Sequence, residues 1–372
     1  MNRVGIDAHA IGLQQGGNER YIEGLLKGLS EIETHPFRFI VFLNEKAQIP
    51  DFLKNNPTFE FKRVSSNPGK RFLFDLSNPK RYGIELLHTQ YHVPFKIKIP
   101  SVITLHDVSY LTHPEFFPIS ERLKMKFMMP YSIKKAKKII TVSEFSKMEI
   151  LRFYKKARGK TCAIYNGISD CFKPASKAEI QQTLEKHKIG TPYILTVSNL
   201  QPRKNLKGLI DSFSKIQRKN PGFPCSLVIV GRKLWLYDEI FVEIRNSEFN
   251  EKIIITGYLS NQDIISLYSA AEMFVYVSFY EGFGFPPVEA MACGCPVITS
   301  NTSSLPEITG EASIKVNPKN SDEIASTILQ LYHDKNLREK LVERGFIQAK
   351  KFSWSECAKK TIKVYKEVIS HL

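Results

Sequence analysis

Short apolar runs alternate with longer helical stretches from one end of this chain to the other, and that alternation narrows the fold more than any single residue does. Strands separated by helices in this way form parallel sheets covered by those helices. In the first half the candidate strands are residues 4–8, 38–43, 86–90, 101–106, 138–142 and 161–165. In the second half they are 193–198, 226–231, 252–257, 273–278, 296–300 and 313–316. Two such sets predict two doubly wound α/β domains, and a length of 372 residues is too great for one ordinary core. The polar stretch Asp170-Cys171-Phe172-Lys173-Pro174-Ala175-Ser176 reads as the linker between them.

Charge and punctuation restrict the surroundings. The sequence reaches Asp7 before an apolar stretch of signal-peptide length forms, and no run approaches the ~18 apolar residues that cross a bilayer. A cytoplasmic protein is expected. Six cysteines with no CxxC pair and no His/Cys cluster of metal-ligand spacing read as reduced, mostly buried thiols. The formal net charge is +16, and residues 120–160 carry thirteen Lys/Arg against three acids. Such a stretch attracts polyanions. Phe127-Met128-Met129 beside the lysines favours an anionic membrane surface, because apolar side chains insert while ammonium groups meet lipid phosphates. No nucleic-acid-binding motif accompanies it, so nucleic acid is not expected as a partner.

In open α/β sheets ligands collect at the carboxyl ends of the strands, so the loops that follow the strands carry the functional reading. The most informative is Tyr280-Glu281-Gly282-Phe283-Gly284-Phe285-Pro286-Pro287-Val288-Glu289. A proline in the first turn of a helix loses no hydrogen bond, so a helix is predicted from about 286 to 292. Its positive dipole end then lies beside Gly284, where the missing Cβ lets a phosphate approach the backbone. Glu281 on the loop and Glu289 one turn into the helix are carboxylates able to accept hydrogen bonds from sugar hydroxyls. The layout suits a ligand anionic in the middle and hydroxylated at both ends, as a nucleotide-sugar is.

Three other loops join it. Arg203-Lys204, in the loop after 193–198, suits a diphosphate. His106-Asp107 stands where the chain leaves the sheet, His106 being either a structural hydrogen-bonder or a site residue. Gly16-Gly17 lies in a glycine-rich turn, residues 12–20, that runs into a helix and is either only a turn or one that admits phosphate or sugar close to its backbone. The chain has no Asp-x-Asp, the pair that holds a divalent metal on the diphosphate in another architecture. Cations and helix dipole would take that task, so no metal and no cofactor are expected, the nucleotide-sugar being a substrate.

Taken together these residues resemble retaining glycosyltransferase family 4, across nearly the full chain. The likeness rests on Glu281-Gly282-Phe283-Gly284, Glu289-Ala290, Gly294-Cys295-Pro296-Val297, Arg203-Lys204, Gly16-Gly17, His106-Asp107 and Asn166-Gly167. The resemblance implies the GT-B fold, two Rossmann-like doubly wound parallel-sheet domains facing across a cleft. It implies an N-terminal acceptor domain over residues 1–173 and a C-terminal donor domain over 174–353, with a helix over 354–372 packing back on the first. It further implies that Glu289 binds the ribose and Glu281 orients the hexose. Arg203 and Lys204 neutralise the diphosphate, assisted by backbone around Phe283, Gly284 and Phe285, and His106 lines the sugar pocket. Gly16, Gly17 and Leu259 complete the donor set, Leu259 near the base. The loop departs from many relatives in reading Gly-Gly-Asn-Glu-Arg where they have Gly-Gly-Ile or Gly-Gly-Val.

Finer similarity, in His88-Thr89-Gln90-Tyr91-His92-Val93-Pro94-Phe95 and Ser303-Ser304-Leu305-Pro306-Glu307, is to bacterial polysaccharide mannosyltransferases. It implies hexose transfer, mannose from GDP-mannose, to a lipid-linked or oligosaccharide acceptor by a peripheral protein on the inner membrane face. Two alternatives remain at this point: a nucleotide-sugar epimerase or sugar-phosphate synthase on the same fold, and a non-catalytic membrane-binding scaffold.

Overall fold

The computed structural model describes residues 1–13 and 16–370. Gln14 and Gln15 of the glycine turn, and His371 and Leu372 at the end of the expected terminal helix, lie outside the described residues. The chain divides into two compact units, one comprising Met1–Ser169 with Phe352–Leu372, the other Asp170–Lys351.

The first unit holds a seven-stranded sheet, every ladder parallel. Its strands are β1 Asn2–Asp7, β2 Phe37–Asn44, β3 Phe59–Val64, β4 Leu86–Gln90, β5 Ser101–Thr104, β6 Lys138–Thr141 and β7 Thr161–Ala163. They lie in the order β3-β2-β1-β4-β5-β6-β7. The chain therefore winds one way from β1, then returns to start the other half at β4. The sequence expectation of six strands missed β3, whose Phe-Glu-Phe-Lys-Arg-Val alternates in polarity as an edge strand does instead of running continuously apolar.

The second unit repeats the winding with six parallel strands: β8 Tyr193–Val197, β9 Ser226–Val230, β10 Ile253–Gly257, β11 Met273–Tyr276, β12 Val297–Ser300 and β13 Ser313–Val316. Their order is β10-β9-β8-β11-β12-β13, so the reversal falls between β8 and β11. Residues 170–176, read from sequence as a linker, are built into this unit. Phe172 sets its ring edge-on to Tyr268 at 6.4 Å, and Ser176 forms a capping box with Glu179 on the helix Lys177–His187.

The terminal helix Trp354–Ser370 belongs to the first unit, where it packs on the helix Gly17–Ser30. Gly24 and Gly28 form the notch: a Cβ at either would run into Trp354. Behind the notch a chain of hydrogen bonds runs from Tyr365 Oη to His88 Nδ1 at 2.6 Å, from His88 Nε2 to Thr104 Oγ1 at 2.8 Å, and on to Tyr21 Oη at 2.7 Å. These groups are buried and mutually satisfied, so they tie the last helix to β4 and β5 with no desolvation left uncompensated.

One surface expectation changes. Of Phe127-Met128-Met129, only Phe127 is exposed; Met129 is buried with Ile133 and Met125 against the core. These three recur every four residues on the inner face of the helix Ile119–Lys135. Its outer face instead presents Ile119, Leu123 and Phe127, again four residues apart, among Arg122, Lys124 and Lys126. No described helix is long and apolar enough to cross a membrane.

Candidate functional site

At the reversal between β8 and β11, two loops meet. The first leaves β8 and makes a 3-10 turn, Pro202–Lys204, before the helix Leu206–Lys219. Asn205, with φ of 54°, ends that turn and donates from its amide to the carbonyls of Val277, at 3.1 Å, and Pro318, at 2.6 Å. The Arg203-Lys204 pair is thus fixed to the end of β11. The second loop runs from Tyr276 through Glu281 to Gly284. Ser303 accepts from the Glu281 backbone N–H at 3.0 Å, and Ser304 Oγ bonds the carbonyls of Glu281 and Phe283, each at 3.0 Å.

Glu281 is where the loops converge. Its Oε1 accepts from Lys204 Nζ at 2.6 Å and Tyr276 Oη at 2.9 Å, and its Oε2 accepts from Arg203 at 3.0 Å. Arg203 also donates to the Tyr280 carbonyl at 2.6 Å. Burial alone would raise the Glu281 carboxyl, but the Arg203 guanidinium and Lys204 ammonium overcome it and hold the group at about 2. It is an anion at any physiological pH. Burial, with the Glu281 charge alongside, pushes the Tyr276 phenol up, so Tyr276 stays a hydroxyl donor. Two half-buried cations thus share one buried carboxylate, which orients both side chains.

Gly284 begins the helix Phe285–Ala292 at φ of 97°, and a Cβ there would meet Leu305 Cδ2 at 2.7 Å. Only glycine fits both constraints. Pro286 and Pro287 carry no N–H, so of this helix's first four residues just Phe285 and Val288 can donate. The dipole is present but its donors are halved, which throws more of any anion binding onto Arg203 and Lys204. Glu289 is buried on the same helix and accepts a long hydrogen bond, 3.5 Å, from Tyr268 Oη. Phe283 is buried with its ring edge-on to Phe285 at 5.2 Å. Leu259 is buried just past the end of β10, beside the exposed Tyr258.

Arg203, Lys204 and Glu281 are therefore brought into direct contact, with Phe283, Gly284, Phe285 and Glu289 following on the same loop and helix. The spacing of the two glutamates did not disclose that Glu281 spends both oxygens on the cations. Tyr276 and Asn205 escaped the sequence reading, and Ser303 and Ser304, noted there as part of a motif, were given no role; the available signal for Tyr276 was its place at the carboxyl end of a strand that faces the reversal.

Gly16, Gly17 and His106 belong to the other unit. Gly16, with φ of 65°, precedes the helix Gly17–Ser30, while a Cβ at Gly17 would meet no described atom within 4 Å. Buried His106 donates from Nε2 to Gln90 Oε1 at 2.8 Å and meets the Tyr21 ring edge-on at 4.8 Å. Burial holds its pKa down at about 4, so the ring is neutral and serves as a hydrogen-bonding group, not a cation. Among the described residues no group of three or more His, Cys, Asp or Glu is placed to hold a metal ion.

Residues 15–170 match the family model described as Glycosyltransferase Family 4, and residues 178–348 match Glycosyl transferases group 1. The chain is 36% identical to O-antigen chain mannosyltransferase B of Escherichia coli over 278 residues, which is 74% of this chain and 72% of that one. It is 27% identical to the serotype-specific mannosyltransferase WbdA of Escherichia coli over 72% of its own length but only 33% of that longer protein. The crystal structure of Anabaena HepE in complex with UDP-glucose superposes with a TM-score of 0.76 at 19% identity, covering all of both chains, a likeness of fold.

Proposed function

Because this chain belongs to glycosyltransferase family 4 and has its GT-B fold, we propose that it transfers mannose from GDP-mannose, with retention and without a metal ion, to a growing lipid-linked polysaccharide. The observation that supports this most is the pair of cations held on one buried carboxylate. A nucleotide-sugar's diphosphate carries about two negative charges and gains more as the glycosidic bond breaks, and fixed cations in a dry site stabilise that change with little reorganisation. Arg203 and Lys204 are held in place by Glu281 before any ligand arrives. The acceptor oxygen bonds to the anomeric carbon while the carbon–phosphate oxygen bond breaks. The diphosphate leaves with that electron pair and takes the acceptor's proton.

The mannosyl donor is supported by the relatives, two of which are named mannosyltransferases. Work at the cytoplasmic membrane face is supported by the basic first unit and by the outer stripe of Ile119, Leu123 and Phe127 among cationic side chains. A thermal-shift screen with GDP- and UDP-sugars, followed by transfer assays with and without a lipid-linked acceptor, tests the reading. GDP-mannose should raise the melting temperature, and product should require acceptor. Turnover independent of acceptor would indicate an epimerase or a synthase instead.

A further inference from the structure

The first unit has its own reversal point, between β1 and β4, and it is lined with polar groups that lack partners. Asp7 ends β1 and Gln90 ends β4, the two strands that flank the reversal. Open sheets of this kind bind ligands there. Asp7 Oδ1 accepts from the His9 ring at 3.0 Å and from the His9 backbone at 3.3 Å. Its Oδ2 stands 3.6 Å from Arg71 Nε, beyond hydrogen-bond reach. Among the described residues Asp7 Oδ2, Arg71 Nε, Gln90 Nε2 and His92 Nδ1 have no hydrogen-bond partner. All four residues are more than nine-tenths buried. Orphaned groups of this kind destabilise a folded protein, and a concentration of them marks a place where something else supplies the bonds. Arg71 also opens a five-residue π-helical turn, Arg71–Asp75, a distortion found disproportionately at functional sites.

Resting on the transferase reading, we propose that Asp7, His9, Arg71, Gln90 and His92 hold the terminal sugar of the acceptor, and that this subsite selects an uncharged, hydroxyl-bearing ring over a phosphate. Charge decides between these. Asp7 and Asp75 both act on the Arg71 guanidinium and Lys124 acts on the His92 imidazole, two charges of each sign, and burial holds that imidazole down at about 4, so these groups balance in charge. A phosphate drawn to Arg71 would have to sit against the Asp7 carboxylate, whereas sugar hydroxyls donate to Asp7 and accept from Arg71 and Gln90 together. The reaction has one partner with a diphosphate and one with only hydroxyls at its reacting end. The charged site of the second unit suits the former, and this balanced one suits the latter. His9 lies at the rim, its side chain 18% exposed. With Nδ1–H donating to Asp7, its Nε2 is left to accept from a hydroxyl.

The test uses the full chain, with short manno-oligosaccharides and methyl hexosides as probes in saturation-transfer NMR, and steady-state transfer assays. Asp7→Asn and the rim variant His9→Ala should each raise the acceptor KM by about tenfold, the loss of one or two hydrogen bonds, with a much smaller change in kcat. His9→Gln, which keeps an acceptor atom, should recover part of the loss. Unchanged GDP binding in every variant serves as the folding control. Glycoside binding and acceptor KM that ignore both substitutions would overturn the subsite while leaving the transferase reading intact, as would binding of inorganic diphosphate, not glycosides, that depends on Asp7 and His9. Failure of any nucleotide-sugar to bind the wild-type protein would remove the reading on which the proposal rests.

Discussion

The two units wind their sheets the same way, reverse at corresponding strands and bury polar side chains at both reversals, yet they settle those side chains differently. In the second unit Glu281 is saturated by Lys204, Arg203 and Tyr276, and the cluster has more cations than acids. In the first, among the described residues, Asp7 faces Arg71 and four atoms of carboxylate, guanidinium, amide and imidazole groups are left open, while the second reversal leaves open the hydroxyl of Ser198. On the roles proposed above, the difference is the one the ligands require: cations fixed in advance for a diphosphate, and balanced charge with open hydrogen-bonding atoms for neutral hydroxyls.

The largest expected separation between the units is in acid. His92 and His106 sit in the first unit with pKa values near 4, and His88 near 3, each depressed chiefly by burial from 6.5. The folded unit binds fewer protons than the unfolded chain once pH drops below about 6.5, so stability falls from there toward pH 4. Each of these depressions corresponds to a few kcal/mol. The second unit's main acid-sensitive group is Glu281, also depressed, from 4.5 to about 2, so its contribution is intact above 4.5 and lost only below. The first unit should therefore unfold at higher pH. Trp354 lies in the first unit and Trp235 in the second, and these are the chain's two tryptophans. Fluorescence of Trp235→Phe and Trp354→Phe proteins reports each unit separately; coincident acid transitions would break the distinction.

Next in size is the chemistry of the second site. Arg203→Ala should lower kcat by ~10²–10³-fold, about 3–4 kcal/mol, as for removal of one donor to a developing oxyanion. Arg203→Lys should recover part of the loss, because both bonds are made by the single nitrogen Nη1, which an ammonium can replace, while the guanidinium's remaining N–H donors are lost. A loss confined to the donor KM would mean that the cation only binds the ground state.

How much of this was legible beforehand follows from the range of the interactions. Central strands announce themselves because burial on both faces demands unbroken apolar residues, and the predicted start of the Phe285–Ala292 helix was one residue from the observed one. The edge strand β3 hid because Glu60, Lys62 and Arg63 interrupt its apolar residues. Arg203, Lys204 and Glu281 were each visible as types suited to a nucleotide-sugar. Their mutual contact was not, because it spans nearly eighty residues and depends on Asn205 tying one loop to the other. Asp7 and Arg71 went unremarked for the same reason: a lone Asp at a strand end has no periodic signature.

A smaller effect is expected at Gly284. Forcing alanine into its left-handed backbone costs ~1–2 kcal/mol, and the Leu305 contact adds to that. Gly284→Ala should lower the second unit's unfolding free energy by about that much, read as a lower urea midpoint at unchanged m, and weaken donor binding by shifting the first turn of the helix. The first unit's Trp354 signal should not move. A Trp354 transition displaced equally would show that the units do not unfold independently.

The smallest expected effect distinguishes the units at a lipid surface. Ile119, Leu123 and Phe127 form an exposed apolar stripe, flanked by Arg122, Lys124 and Lys126, on a helix whose inner face already fills the first unit's core. A stripe that is neither buried nor broken by acids gains by entering the boundary between lipid headgroups and chains, while the cations meet anionic headgroups. Phe127→Ser should weaken co-sedimentation with anionic vesicles by about fivefold, ~1 kcal/mol for a partly inserted ring. Exposed Ile347 of the second unit supplies the contrast, and Ile347→Ser should leave vesicle binding unchanged. High salt should weaken the wild-type and Phe127→Ser proteins in parallel, because salt screens the lysine and arginine contribution and leaves the apolar one. Equal losses at Phe127 and Ile347 would mean that general surface hydrophobicity drives the association, and the first unit would lose its claim to be the side that faces the membrane.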